Sequence, residues 1–406
     1  MKSQVNLSGR SRSLLAGILL LSGLAAGVHG AIPIGNTNVQ IGGFFSQGYL
    51  YNSDFNFPTQ DKGGTFDFRE MAFNVSDTFG AHLRVGAQVF AQKFGNIGED
   101  KVTLDWAVAD YNFAPEFGLR LGRVKYPKGL YGESLDLDIV RPFVFLPYAV
   151  YNPVLRDFAS AVNGGSIYGS INAGKSSFDY KLFYGSIPMN PSKGVAEFYN
   201  NFGAYSNAAG GVAALKMDYA AGGQLVWNTP LSGLKFVYSR SWFENLDTNG
   251  PFIAYPPANL NSHINRFTWD TISAEYAVNN WTFASEWQRT GGTIDYGAPP
   301  FLPTVVSPVG WDAWYVSAAR RLNDKLELGT YYSYLKPRYP GGGGSAANKL
   351  GDWAFSVHYD VNEHVSCKIE YHWLDGNYQS FNTPRIVNPT HPDSSSIIAV
   401  KTTLSF

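Results

Sequence analysis

Cysteine is nearly absent. Cys367 is the only one among 406 residues, so no internal disulfide can form and no thiol near the amino terminus is available to carry a lipid. An exported domain without disulfides must rest on extensive burial or on a hydrogen-bond ladder closed on itself. An excess of either charge is missing as well. The 31 basic residues face 32 acidic ones, which gives nucleic acid nothing to hold. Catalytic and cofactor motifs are just as scarce. The run Gly341 to Gly344 lacks the lysine and helix of a phosphate-cradling loop, and no nucleophile elbow occurs. No His-x-x-x-His spacing suggests a metal, and no repeat of solenoid length is present.

What is present begins at the amino terminus. Lys2, Arg10 and Arg12 precede an apolar run from Leu14 to Ala26, followed by Val28-His29-Gly30. A basic head, a short apolar middle and small residues form a secretory signal, with cleavage expected after Gly30. The run is too short to span a bilayer comfortably, and no second one follows it. Residues 31–406 then form one domain. Removing three basic residues leaves 28 against 32, a charge near −4. Aromatics are abundant, with 28 Phe, 25 Tyr and 10 Trp. They suit a membrane–water boundary, a large all-β core or a carbohydrate-binding face.

Alternation is the dominant pattern. In the last segment Ile398, Val400, Thr402, Leu404 and Phe406 share one parity, and Lys401, Thr403 and Ser405 the other. Trp353, Phe355, Val357 and Tyr359 oppose Ser356, His358 and Asp360, and similar runs surround Val85, Leu182 and Ile369. Strand side chains alternate faces, so each such segment has an apolar and a wet side. Seven short breakers, at residues 78–80, 114–116, 172–175, 229–233, 279–280, 323–325 and 362–364, alternate with eight long ones. The spacing predicts about sixteen strands, an even number that leaves both termini on one side. Gly222-Gly223 offers a further break, but splitting there gives an odd count and is rejected on closure grounds. The fold class expected is all-β: a transmembrane antiparallel β-barrel with tight turns at one end and long loops at the other.

The inward parity then carries Arg84, Gln88, Arg120, Lys181, Glu275, Glu286, His358, Lys368, Glu370, His372 and Lys401. Burying unpaired charge is too costly, so the set calls for a water-filled lumen. One strand resists the pattern: Asp105 and Asp110, either side of Trp106, fall on opposite faces. A bulge or a shift of depth is required there.

Residues 126–159 are both long and patterned. They contain Glu133, Asp136, Asp138, Arg141-Pro142-Phe143-Val144-Phe145-Leu146-Pro147-Tyr148 and Arg156-Asp157. So apolar a loop packs against something. Leu121-Gly122-Arg123-Val124-Lys125-Tyr126-Pro127-Lys128-Gly129-Leu130-Tyr131 leads into it, Arg141-Pro142 lies inside it, and Val226-Trp227-Asn228-Thr229-Pro230-Leu231-Ser232-Gly233-Leu234 forms a mid-chain turn. With the terminal Phe406, these segments resemble the Gram-negative sixteen-stranded porins, including the phosphate-selective (porin O and P) type. The resemblance implies an outer-membrane homotrimer in contact with lipid and lipopolysaccharide. It also implies a third loop folded inward to narrow the pore, and a terminal Phe406 read by the assembly machinery. Glu133, Asp136 and Asp138 would then face Arg84, Arg120 and Lys401 across the water, with Arg141 on the loop. Local pairing of those acids with Arg141 or Arg156 is the alternative. Arg120, Arg123, Lys125 and Lys128 suggest part of an anion ladder, although Arg123 and Lys125 share the parity of Leu119 and Leu121.

His358 and His372 share the polar parity with Ser356, Asp360 and Glu370. A lipid hydrolase would place such groups toward its substrate, so a hydrogen-bond network in the lumen is the preferred reading. Three functions remain: a passive channel for small hydrophilic solutes with no cofactor, a substrate-specific uptake porin, and an exported carbohydrate-binding or adhesion protein.

Overall fold

The computed structural model describes residues 32–33, 37–53, 63–95, 97–191, 196, 200, 211–339, 345–378 and 393–406. The expected signal segment, the glycine run at 341–344 and parts of four other long connections lie outside the described residues.

Sixteen strands form one antiparallel wall. They are β1 (Gln40–Asn52), β2 (Phe68–Phe79), β3 (Leu83–Phe94), β4 (Thr103–Ala114), β5 (Phe117–Lys125), β6 (Ala161–Ala173), β7 (Ser176–Ser186) and β8 (Tyr219–Asn228). The second half is β9 (Leu234–Pro251), β10 (Asn259–Val278), β11 (Trp281–Ala298), β12 (Trp311–Arg321), β13 (Leu326–Pro337), β14 (Leu350–Asp360), β15 (Val365–Gly376) and β16 (Ser394–Ser405). Each pairs with the next, and β1 pairs with β16 from Phe44↔Ser405 to Asn52↔Ile397, which closes the barrel. Closure satisfies every strand edge, which a hydrocarbon surround demands. The seven short breakers are the turns at one end; the first lies two residues later than expected, at 80–82.

The outer face carries the apolar parity. Leu182, Ile272, Phe355, Ile369 and Leu404 are all exposed, as are Trp227, Trp281, Trp314 and Trp353. Strands β9, β10 and β11 have 18, 20 and 18 residues. About 9–11 suffice to span, so these strands rise well past the apolar band on the long-connection side. There the short strand Leu302–Val309 folds back on β11.

The irregular strand resolves as a bulge. Gln88 pairs with Trp106 and Val89 with Leu104, leaving Asp105 as the extra residue. Asp105 and Asp110 consequently both turn inward and are buried. Opposite, Gly122 has φ +124, and a Cβ there would lie 2.2 Å from the Ala107 carbonyl. Lys125, expected on the lipid-facing parity, instead reaches the inner carboxylates Asp105 and Asp136 with its ammonium. Gly222-Gly223 stays inside the single strand β8: a Cβ on Gly222 would lie 2.2 Å from the Arg240 carbonyl, so close strand approach explains it.

Candidate functional site

Residues 126–160 run from β5 to β6 without regular structure beyond short turns. Pro127, Pro142, Pro147 and Pro153 interrupt any longer helix or strand. Three 3-10 turns, at Gly132–Ser134, Asp138–Val140 and Pro153–Leu155, precede the helical turn Arg156–Ala159. The Asn152 side chain accepts from the Val154 N–H and starts the third of these. Leu130, Val144, Leu146, Tyr148, Val150, Tyr151, Val154, Leu155 and Phe158 are buried. They belong to two apolar clusters that also draw wall residues from all sixteen strands, from Leu50 and Phe68 through Phe183 and Trp269 to Tyr315 and Ile397.

Three carboxylates tie this segment to the wall. Asp138 meets Lys368 and Lys401 at 3.2 Å each and Arg141 at 2.9 Å, and accepts from the Thr403 hydroxyl at 2.7 Å. Burial alone would push its carboxyl up. The charges of Lys368, Lys401 and Arg141 reverse this and hold it well below the usual carboxylate range. Glu370 on β15 accepts from the backbone N–H groups of Val144 and Phe145 at 2.8 and 3.0 Å. Its other neighbour is His372 Nε2 at 2.9 Å, whose Nδ1 lies 2.9 Å from Asp352. Each imidazole nitrogen thus lies within hydrogen-bond distance of a carboxylate. Glu286 on β11 accepts from the Leu130 N–H at 3.0 Å, Tyr151 Oη at 2.6 Å and Tyr315 Oη at 2.8 Å. Lys368 also donates to the Phe143 carbonyl at 3.2 Å.

A second group sits between β3, β4, β5 and the segment's two ends. Arg156 bridges Asp105 at 2.9 Å and Asp136 at 2.6 Å, and Lys125 meets both acids. Burial would raise the Asp136 carboxyl, but Arg156 and Lys125 outweigh it and lower it. Arg120 donates to Asp110 at 2.9 Å and lies 3.9 Å from Glu133, which Lys181 also engages. Lys128 donates to the Val150 carbonyl at 2.7 Å beneath the Trp269 ring. Burial brings its ammonium down to about 7, only partly offset by Glu286.

The expected arrangement therefore needs correcting in three respects. Acids and bases do not face one another across water: Asp138 touches Lys401, Glu133 touches Lys181, and Asp136 touches Lys125. The pairing of Asp138 with Arg141 and of Asp136 with Arg156, weighed as the alternative, is present. Nor does water solvate most of the inward set. Arg120, Glu286, Lys368, Glu370, His372 and Lys401 are buried, and protein partners compensate their charge. The suggested anion ladder is not a row of available cations either, since Arg120 and Lys125 each hold carboxylates. Arg84, donating to Ser76 Oγ at 3.2 Å, stays half-buried near the short turns. Phe406 bonds through its backbone to Gly43 at the barrel seam. Sequence reading passed over Asp352 and Tyr315, although both share the inward parity of their strands. Tyr151 had no such signal, because its position depends on an irregular chain path.

No family model matches the chain. An uncharacterized protein of Aquifex aeolicus (strain VF5) is 29% identical over 134 residues, a match covering 32% of this chain and 29% of that protein. The chain thus aligns with under a third of that relative's length. Solved structures share the fold. Outer-membrane expressed OmpT of Vibrio cholerae is 11% identical, with TM-score 0.56 over 93% of this chain and 100% of that one. Salmonella typhi OmpF in complex with daunomycin is 13% identical, with TM-score 0.56 over 92% and 100%. An anion-selective porin from Comamonas acidovorans is 11% identical, with TM-score 0.52 over 91% and 100%. At these identities the likeness establishes architecture only. A closed sixteen-stranded wall, an apolar outer face and that shared architecture define the class: a sixteen-stranded antiparallel β-barrel with the fold of the outer-membrane porins it resembles.

Proposed function

We propose that this protein is an outer-membrane porin, a passive channel for small hydrophilic solutes or ions that performs no chemistry. The observation that carries the reading is the division of the closed wall. Charges of both signs lie on its inner face and large apolar side chains are exposed on its outer face. A soluble carbohydrate-binding protein would not leave so continuous an apolar surface in water.

Residues 126–160 act in this reading as the inserted third loop, and they narrow the passage strongly. The route remaining to solute follows the half-exposed inner charges toward the short turns. These are Arg84, the Lys235–Glu275 pair at 2.9 Å, and Arg321 beside Asp360 at 2.7 Å. Because acids and bases alternate there, weak charge selectivity suits the geometry better than a phosphate-specific ladder. The chain assembles as a homotrimer, with Phe406 serving as its assembly signal. The test is current across planar bilayers under a salt gradient. Discrete steps with a small reversal potential are expected, and Arg84→Ala should move that potential toward cation preference. A full anion-limit potential in the parent, or none of the shift in the variant, contradicts this assignment of the route.

A further inference from the structure

Lys128 sits where the inserted segment crosses β9, β10 and β11. Just beyond it the Gly129 N–H donates to Ser239 Oγ at 2.9 Å and the Leu130 N–H to Glu286 at 3.0 Å. Its Nζ lies 3.8 Å from the centre of the Trp269 ring and 5.2 Å from that of Tyr151. It donates to the Val150 carbonyl, and no carboxylate pairs with it among the described residues. A buried lysine without a counter-ion favours the neutral amine, and burial brings this one down to about 7. The neutral amine is a nucleophile, whereas the ammonium is not.

The wall beside it holds polar atoms with nothing to bond. Trp269 Nε1, Thr271 Oγ1 and Gln288 Nε2 have no partner among the described residues, although these residues are only 4%, 1% and 0% exposed. Thr271 and Gln288 are direct cross-strand partners, and Ser239 is the neighbour of Thr271 on its other side. Trp269 lies two residues before Thr271 on the same inner face. Cross-strand neighbours keep their Cβ atoms about 5 Å apart, so the three groups share one patch. Gln288 Oε1 already accepts from Trp311 Nε1 at 3.4 Å, which leaves the amide nitrogen to donate. An indole and an amide nitrogen only donate, and a hydroxyl can, so the patch calls for an acceptor.

We propose that Lys128 is a site of carbamate formation with carbon dioxide, the carbamate oxygens accepting from Trp269, Thr271 and Gln288. The Nζ lone pair forms the new N–C bond, one C=O electron pair moves onto oxygen, and the nitrogen gives up one proton to water. The N–H that remains keeps its bond to the Val150 carbonyl. Carbon dioxide is small, uncharged and apolar, so the rings of Phe158, Phe243 and Trp311 around Trp269 do not bar its entry. An inorganic anion would have to shed its hydration to enter the same place.

The titratable groups facing this corner are Glu286, Tyr151, Tyr315 and Tyr131. Glu286 shows that the wall holds a carboxylate with neutral donors alone: the Leu130 N–H and the hydroxyls of Ser273, Tyr151 and Tyr315. Tyr131 Oη reaches Glu275 instead. Gln288 and Thr271 occupy the row between Glu286 and Trp269, which keeps the two anions apart. The modified lysine ties the segment to β10 and β11; the proposal rests on this packing and not on conduction.

Carbon-13 NMR of the full chain, folded in detergent micelles with labelled bicarbonate as the source of dissolved carbon dioxide, provides the test. It is run at about pH 8, where exposed lysines remain ammonium. The parent should show a carbamate resonance distinct from bicarbonate, and Lys128→Met should lose it. Gln288→Leu and Thr271→Val leave the amine in place and should each lower its occupancy about tenfold, the worth of one hydrogen bond to a charged group. Bicarbonate should also raise the thermal transition of the parent but not that of Lys128→Met. Should Lys128→Met fail to fold, the occupancies of the two wall variants decide. A folded parent without the resonance overturns the proposal, and so does a resonance that survives Lys128→Met or is unchanged in both wall variants. A rise in the transition that acetate or phosphate reproduces without any carbamate signal overturns it too, and would make the corner a non-covalent anion site.

Discussion

Asp138 is the residue on which the inner network depends most. Its carboxylate is 2% exposed and compensates two lysines from neighbouring strands that are 1% exposed. Removing one partner of a buried pair leaves uncompensated charge, at a cost of about 3–5 kcal/mol. Asp138→Asn should therefore lower the thermal transition of the folded barrel strongly, while the exposed control Glu363→Gln should not. Equal transitions would show that the lysines find other partners. Lys128 makes a separate, pH-dependent prediction. Its folded-state value, about 7, lies below the ordinary lysine value of 10.5, so the unfolded chain binds more protons between those limits. Stability contributed at this site thus rises as pH goes from 7 toward 10.5, and the full penalty is present below 7. The stability of the parent relative to Lys128→Met should increase across that window; parallel curves would contradict the burial-driven shift.

At the scale of elements, the strands were legible because a period of two is written along each of them. Val85, Leu182, Phe355 and Ile369 declare the outer face without reference to any neighbour. The bulge at Asp105 was legible as a conflict, since two acids on opposite parities of a regular strand cannot both face away from lipid. The path of residues 126–160 was not legible. Its apolar content predicted packing, but no local period says that Glu370 receives the Val144 and Phe145 amides, or that Tyr151 meets Glu286. Those contacts join residues more than a hundred positions apart. The same distance explains why the inner charges were assigned to water, when their partners lay on a segment whose course could not be foreseen. Deleting Asp105 should turn the bulge into regular pairing, with Leu104 still opposite Val89, and remove the carboxylate that Arg156 and Lys125 hold, so the heat-modifiable folded species should persist on gels at lower stability. Asp105→Ala keeps the register and should retain that species at reduced stability. A deletion as stable as the parent would disprove the role assigned to the bulge.

For the molecule as a whole, wall and inserted segment form one packed body. Apolar residues of the segment share clusters with every strand, while Glu286, Glu370 and Asp138 fix it at separate points around the barrel. A barrel of this strand number would hold a wide water column if empty. In the proposed channel, the segment's packing would therefore set the width of the passage. Single-channel conductance of the reconstituted full chain, compared with Glu286→Gln/Glu370→Gln, tests this most directly. The account predicts small, discrete steps from the parent and larger, noisier steps from the double variant as the segment loosens. Identical steps from two equally folded proteins, or no steps from either, would contradict it.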